Sequence, residues 1–245
     1  MRELDLGKNT HYRGEVIERI VGKIWNTRNE QLKHAIRALE PDFELDGETI
    51  PVPVGSVERL PNPIRAYEDL LSSYVNGSLS IIHGDLHLGN ILLGPNEGAS
   101  LIDFAHTRDG HTVFDWASLE ISLLSEFIMP LAGENWSDTR SVLPYVAALN
   151  ARKPLPDNNP ELAKAFAAVK AVRDVANRCL AAPDGWAEYY IALVLCALRA
   201  ITWETMKVGS RRLIFLVAAL TIHELYERYR PEISAEDETD FDDSR

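Results

Sequence analysis

Apolar positions recur at three- and four-residue intervals along most of the chain, and they sketch a mainly helical protein. Val16, Ile20, Ile24, Leu32, Ala35, Ile36 and Leu39 form one stripe, which predicts a long helix over 11–39 with Asn26–Asn29 as a candidate break. Phe43–Val54 follows, where Asp46-Gly47 between apolar flanks signals a short hairpin and Pro51 and Pro53 confine any strand to an edge. Pro61-Asn62-Pro63 then opens a helix over Ile64–Val75, with Asn76-Gly77 as its stop. Phe114–Met129 reads as a strongly apolar helix closed by Pro130, and His106–Thr112 before it as a polar loop. Further helices are expected at 138–149, 160–181, 186–206 and 210–229, with Pro154–Pro160 as the clearest linker and no internal repeat. The fold class this predicts is mainly α with a small β-hairpin element, an α+β arrangement.

The helical pattern breaks at Ile81-Ile82-His83-Gly84-Asp85-Leu86-His87-Leu88-Gly89-Asn90-Ile91-Leu92-Leu93, answered by Leu101-Ile102-Asp103-Phe104. This reads as an apolar entry, a tight polar loop, a strand, a turn and a second strand ending in a carboxylate. Pairing Leu93 with Ser100 across the Gly94–Ala99 turn would set Asn90 opposite Asp103, with Cα atoms about 4.5–5.5 Å apart. An amide oxygen and a carboxylate would then share one spot, with Asp85 at its edge. Hard oxygen donors of this kind suit a magnesium ion that keeps several waters and also binds phosphates.

The spacing carries a family resemblance. Asp85-Leu86 and Asn90 match the D-L-x-x-x-N half of the kinase catalytic loop, His83 sits two residues before the Asp, and Asp103-Phe104 stands where D-F-G would be. His83 through Asn90 also fit H-G-D-x-H-x-x-N, followed by Ile102-Asp103-Phe104. The chain therefore resembles the aminoglycoside phosphotransferase and choline kinase branch of the protein-kinase-like superfamily, with His87 where a protein kinase would more often carry Lys. The run from Asp103 to Trp116 is also similar to kinase-like ternary-complex-associated domains of bacterial conflict systems. The resemblance implies an ATP- and Mg2+-dependent phosphotransferase acting on a small-molecule hydroxyl. Asp85 would take the hydroxyl proton, and Asn90 and Asp103 would hold the metal between the ATP phosphates. His83 would brace the loop through the backbone near Asp103, His87 would pack within it, and Asp115 would brace the loop, cap helical amides, or do both.

The resemblance covers a kinase-like C-lobe, with 1–60 leading into it as a helix and edge hairpin, 61–230 forming the lobe, and 231–245 an acidic disordered tail. The expected N-lobe is absent or truncated: nothing before residue 60 offers a Gly-rich loop after a strand or a strand-borne Lys, and Val21-Gly22-Lys23 lies in a helical pattern. The alternative function is therefore a catalytically inactive kinase-like interaction module with a protein partner. Gly84-Asp85-Leu86-His87 also resembles the G-D-x-H-G loop of two-metal phosphoesterases, but Gly89-Asn90 follows too soon and strands are too few.

Composition narrows the partners. The net charge of −12 argues against nucleic acid, and is compatible with a cationic substrate. Half of it comes from Pro231–Arg245, where seven acidic residues face Arg245 alone. No secretory leader or membrane span is evident, so a cytoplasmic protein is expected, with Cys179 and Cys196 as reduced core thiols. His106, Arg108 and His111 are expected in a solvated loop, and Trp116, Trp186 and Trp203 in the core.

Overall fold

The structure is a computed structural model that describes residues 10–15, 28–41, 43–51, 59–71, 73–95 and 98–234. It is mainly helical, with small antiparallel sheets at one end. The base is a packed set of helices: α1 (Arg28–Leu39), α2 (Pro63–Leu71), α3 (Phe114–Leu123), α4 (Met129–Ala132), α5 (Trp136–Arg140), α6 (Leu143–Asn150), α7 (Pro160–Cys179), α8 (Trp186–Ile201) and α9 (Val208–Ser234). Helix α8 is buried on every side from Trp186 to Leu198, as a helix apolar all round must be, and α9, α3 and α1 cover it. None of the described helices is long and apolar enough to cross a membrane.

Three strands sit on this base in the order β1 (Thr10–Glu15), β4 (Tyr74–Ile82), β7 (Arg108–His111). The first strand overturns part of the expected 11–39 helix, which begins only at Arg28; residues 16–27 lie outside those described. Thr10 pairs with Leu79 and Glu15 with Tyr74. The central strand overturns a second expectation. Asn76-Gly77, expected to stop a helix, lies inside β4, because β1 supplies backbone partners there that a local turn could not match. The helix before it ends instead at Leu71. The expected loop at 106–112 is likewise largely strand: Ile82 pairs with Arg108 and Leu79 with His111.

Asn62 shows why its helix starts where the sequence says. Its Oδ1 accepts from Ile64 N at 3.0 Å, while its Nδ2 donates to the carbonyls of Leu45 and Gly47 at 3.0 and 2.7 Å. That clamp holds a two-residue pairing of β2 (Thr49–Ile50) with β3 (Leu60–Pro61), so the hairpin expected around Asp46-Gly47 becomes a turn outside the ladder. Helix α3 does not close at Pro130. A π-helical turn at Leu124–Ile128 leads into α4, which ends at Gly133 with φ of 98°. Pro130 has no N–H for the carbonyl four residues back, and the wider turn before it absorbs that loss. The C-terminal helix runs four residues into the stretch read as tail, and 235–245 lie outside the described residues.

Candidate functional site

The last residue of β4 delivers His83-Gly84-Asp85, and a carboxylate from α3 holds this loop. Asp115 accepts from His83 N at 2.6 Å and from Gly84 N at 2.9 Å, one bond to each oxygen. Of its two candidate roles, these bonds are of the bracing kind. Burial raises the Asp115 pKa, opposed by these two amides and by the nearby His83 and Arg108 side chains. Gly84 is required there: at φ of 81° a side chain would be strained, and a Cβ would collide with the His106 carbonyl oxygen.

His83 ties the loop to the second strand. Its Nε2 lies 2.8 Å from Ile102 O, and a carbonyl only accepts, so that nitrogen carries the proton. Its ring lies 5.0 Å from that of Phe104, and its Nδ1 is buried without a hydrogen bond. The expected bracing contact near Asp103 is thus present. His87 caps the 3-10 turn Leu88–Asn90, its Nδ1 accepting from Gly89 N at 3.1 Å, while its Nε2 stands 3.8 Å from Asp85 Oδ2. The loop is fastened to α3 again where Leu88 N donates to Ser122 Oγ at 3.0 Å, and Ser122 in turn donates to Glu126 at 2.6 Å.

The hairpin register differs by one residue from the expected one. Leu93 pairs with Ala99 and Ile91 with Leu101, in β5 (Ile91–Leu93) and β6 (Ala99–Leu101), so Ile102 faces Asn90 and donates its N–H to Asn90 O at 3.1 Å. A shift of one would normally turn the following side chain to the other face. Asp103 leaves the strand immediately, in the left-handed conformation (φ 61°, ψ 64°), so that turn sets its direction in place of strand alternation. Such a conformation is uncommon for a residue with a side chain and costs about 1 kcal/mol. Asn90 is buried, and its Nδ2 donates to Asp85 O at 2.9 Å, leaving Oδ1 as the free end of the amide.

An amide oxygen and a carboxylate are the donor chemistry of magnesium. Among the described residues, however, no three His, Cys, Asp or Glu side chains form a cluster that could hold a metal. Asn90 Oδ1 and the Asp103 carboxylate are oxygen donors of the type magnesium takes, and two such donors do not amount to an all-protein cage.

Asp85, with a side chain 31% exposed, opens onto a cavity of about 790 Å³. Its lining includes His87 and His106, Ser118, Ser122, Ser125 and Glu126 from α3 and the π-helical turn, and Arg199, Trp203 and Lys207 from the end of α8 and the turn after it. Residues from the end of α8 and the turn after it carry no local signal for this role. Trp203, expected in the core, is 38% exposed at the cavity edge. The strand end and hairpin on either side of the loop expose apolar side chains. Ile81 is 78% and Leu93 81% exposed, and Leu92, Leu101, Ile102 and Phe104 are exposed around them.

His111 departs furthest from its expected solvated loop. It is buried, with Nε2 3.6 Å from Glu188 Oε2. Burial pushes His111 down to about 3 and Glu188 up to about 7, the latter opposed by the Ala181 N–H, so both favour their neutral forms.

Fold and site together define a mainly helical α+β domain with a strand-delivered, carboxylate-braced acidic loop. The chain belongs to the family described as Ternary complex associated domain 9, whose family model matches residues 3–202. Comparison with curated proteins and with solved structures gave no match.

Proposed function

We propose that the chain is a kinase-like lobe working as an interaction module in a multi-protein assembly. The observation that carries this reading is the exposure of Ile81, Leu92, Leu93, Leu101, Ile102 and Phe104, on the strand end and hairpin that flank a loop which is itself firmly braced. Exposed apolar groups in such number along one stretch of structure mark contact surfaces. The family's description, ternary complex associated, points the same way. The test is co-expression with proteins encoded beside this one and purification of a stoichiometric complex. The double variant Ile81→Asp/Leu93→Asp should lose that complex while keeping the fold. An unchanged complex would overturn the reading.

A second reading is favoured by the opening of Asp85 onto a ligand-sized cavity. Here the module is a phosphotransferase toward a small-molecule hydroxyl, with ATP as co-substrate once a partner supplies the nucleotide-gripping lobe. Asp85 accepts the hydroxyl proton as transfer proceeds, and His83 and Asp115 keep its loop in place. Asn90 Oδ1 and the Asp103 carboxylate would hold Mg2+, which when bound supplies charge neutralisation at the phosphates. On this reading the chain alone gives no saturable ATP–Mg2+ binding, and the assembled complex does. Asp85→Asn should abolish transfer by that complex with ATP binding retained, and Asp103→Asn should remove its magnesium dependence together with activity. Undiminished turnover by Asp85→Asn would rule out the assignment.

A further inference from the structure

The acidic whole-chain charge suggests a cationic ligand, but the cavity beside Asp85 is built differently. Its lining carries two cations, Arg199 and Lys207, and neither forms an ion pair with a described residue. The Arg199 guanidinium lies 6.0 Å from the centre of the Trp203 ring. Stacking of this kind holds a guanidinium by its face and leaves its N–H donors for a planar or tetrahedral anion. Of the cavity's two carboxylates, Glu126 accepts from Ser122 and Asp85 stands 3.8 Å from His87 Nε2. The lining also bears the hydroxyls of Ser118, Ser122 and Ser125. Two cations outside any ion pair therefore share one cavity with the loop carboxylate.

We propose that this cavity binds a hydroxyl-rich small molecule carrying an anionic group, with the anion at Arg199 and Lys207 and a hydroxyl at Asp85. The inference rests on the phosphoryl-transfer reading of Asp85 and names its acceptor class. A cationic acceptor would meet Arg199 and Lys207 as like charges. A neutral sugar would leave both cations without a partner. A volume of about 790 Å³ accommodates a sugar-sized ligand with water to spare.

The test uses three probes with one ring skeleton and different charge: glucose 6-phosphate, glucose and glucosamine, titrated calorimetrically into the full chain. Glucose 6-phosphate should bind saturably and about tenfold more tightly than either of the others, a contrast set by charge-assisted hydrogen bonds. Arg199→Gln/Lys207→Gln should erase that preference with an unchanged circular dichroism spectrum. Lys207→Gln alone, at an exposed position, should weaken glucose 6-phosphate by about threefold. Equal affinity for the three probes, preference for glucosamine, absence of saturable binding, or a preference that survives the double substitution would overturn the proposal. No nucleotide enters these titrations. Their failure beside intact ATP–Mg2+ binding by the assembly rejects the acceptor class alone, whereas probe binding without transfer by the assembly rejects the phosphotransferase reading.

Discussion

Helix α3 carries two buried carboxylates that anchor opposite halves of the molecule. Glu120, in its middle, faces the helical base. Arg173 of α7 donates to both its oxygens at 2.9 and 2.7 Å, Tyr189 of α8 donates at 2.6 Å, and Arg173 also reaches Asn150 of α6 at 2.8 Å. Burial opposes the guanidinium's charge, but the Glu120 carboxylate outweighs it and holds Arg173 protonated. Asp115, one and a half turns earlier, faces the loop, and its partners are two backbone amides. The base is thus locked side chain to side chain in the interior. The loop is held by a few directed bonds between a strand end and a hairpin that expose apolar side chains. Stability is concentrated in the first region and positioning in the second, as expected where a rigid scaffold presents a functional loop.

Substitutions should separate the two. Arg173→Met leaves Glu120 buried without its cation and should cost about 3–5 kcal/mol of global stability in urea unfolding. A loss under about 1 kcal/mol would mean that the network is not what joins α3, α6, α7 and α8. Asp115→Ala should cost about 2–3 kcal/mol by leaving the His83 and Gly84 amides unpaired. Hydrogen exchange should accelerate first at those two amides, with α8 protected; uniform acceleration would show that loop and base unfold as one unit.

The buried Glu188 gives a pH-dependent version of the same comparison. Its folded-state pKa of about 7 lies above its ordinary 4.5, so the unfolded chain releases the proton first. Stability that is fully present below pH 4.5 is therefore lost as pH rises toward 7. Relative to Glu188→Gln, which has no proton to release, the native chain should lose about 2 kcal/mol across that window in chemical denaturation. Parallel profiles would contradict the assignment. The smallest effect is expected at Leu93→Asn on the exposed face, within about 0.5 kcal/mol of the native chain. A large loss there would mean that the apolar face is already covered in the free chain.

Local chemistry made much of the site readable. His83, Asp85, Asn90 and Asp103 are tied together through the Ile102 carbonyl, the Asp85 carbonyl and the hairpin, within one short stretch of chain. The bracing role of Asp115 was one of two open readings, because a carboxylate at a helix start has two sets of amides within reach. The one-residue register error was inherent in the method: apolar residues at 91–93 and 101–102 satisfy either pairing. The helix-end part of the cavity lining was invisible, since Arg199, Trp203 and Lys207 lie about a hundred residues from the loop.

By itself the sequence determined the helical base, the acidic loop with its hairpin, and the start of α2 at Asn62. Each of these is fixed by periodicity, capping or turn chemistry acting over a few residues. Only the tertiary structure decided that 10–15, 76–77 and 108–111 are strand, that His111 lies buried against Glu188, and that two cations line the same cavity as Asp85. Strand pairing, burial and charge facing charge depend on neighbours distant in the chain, and a local pattern carries no record of which neighbours those are.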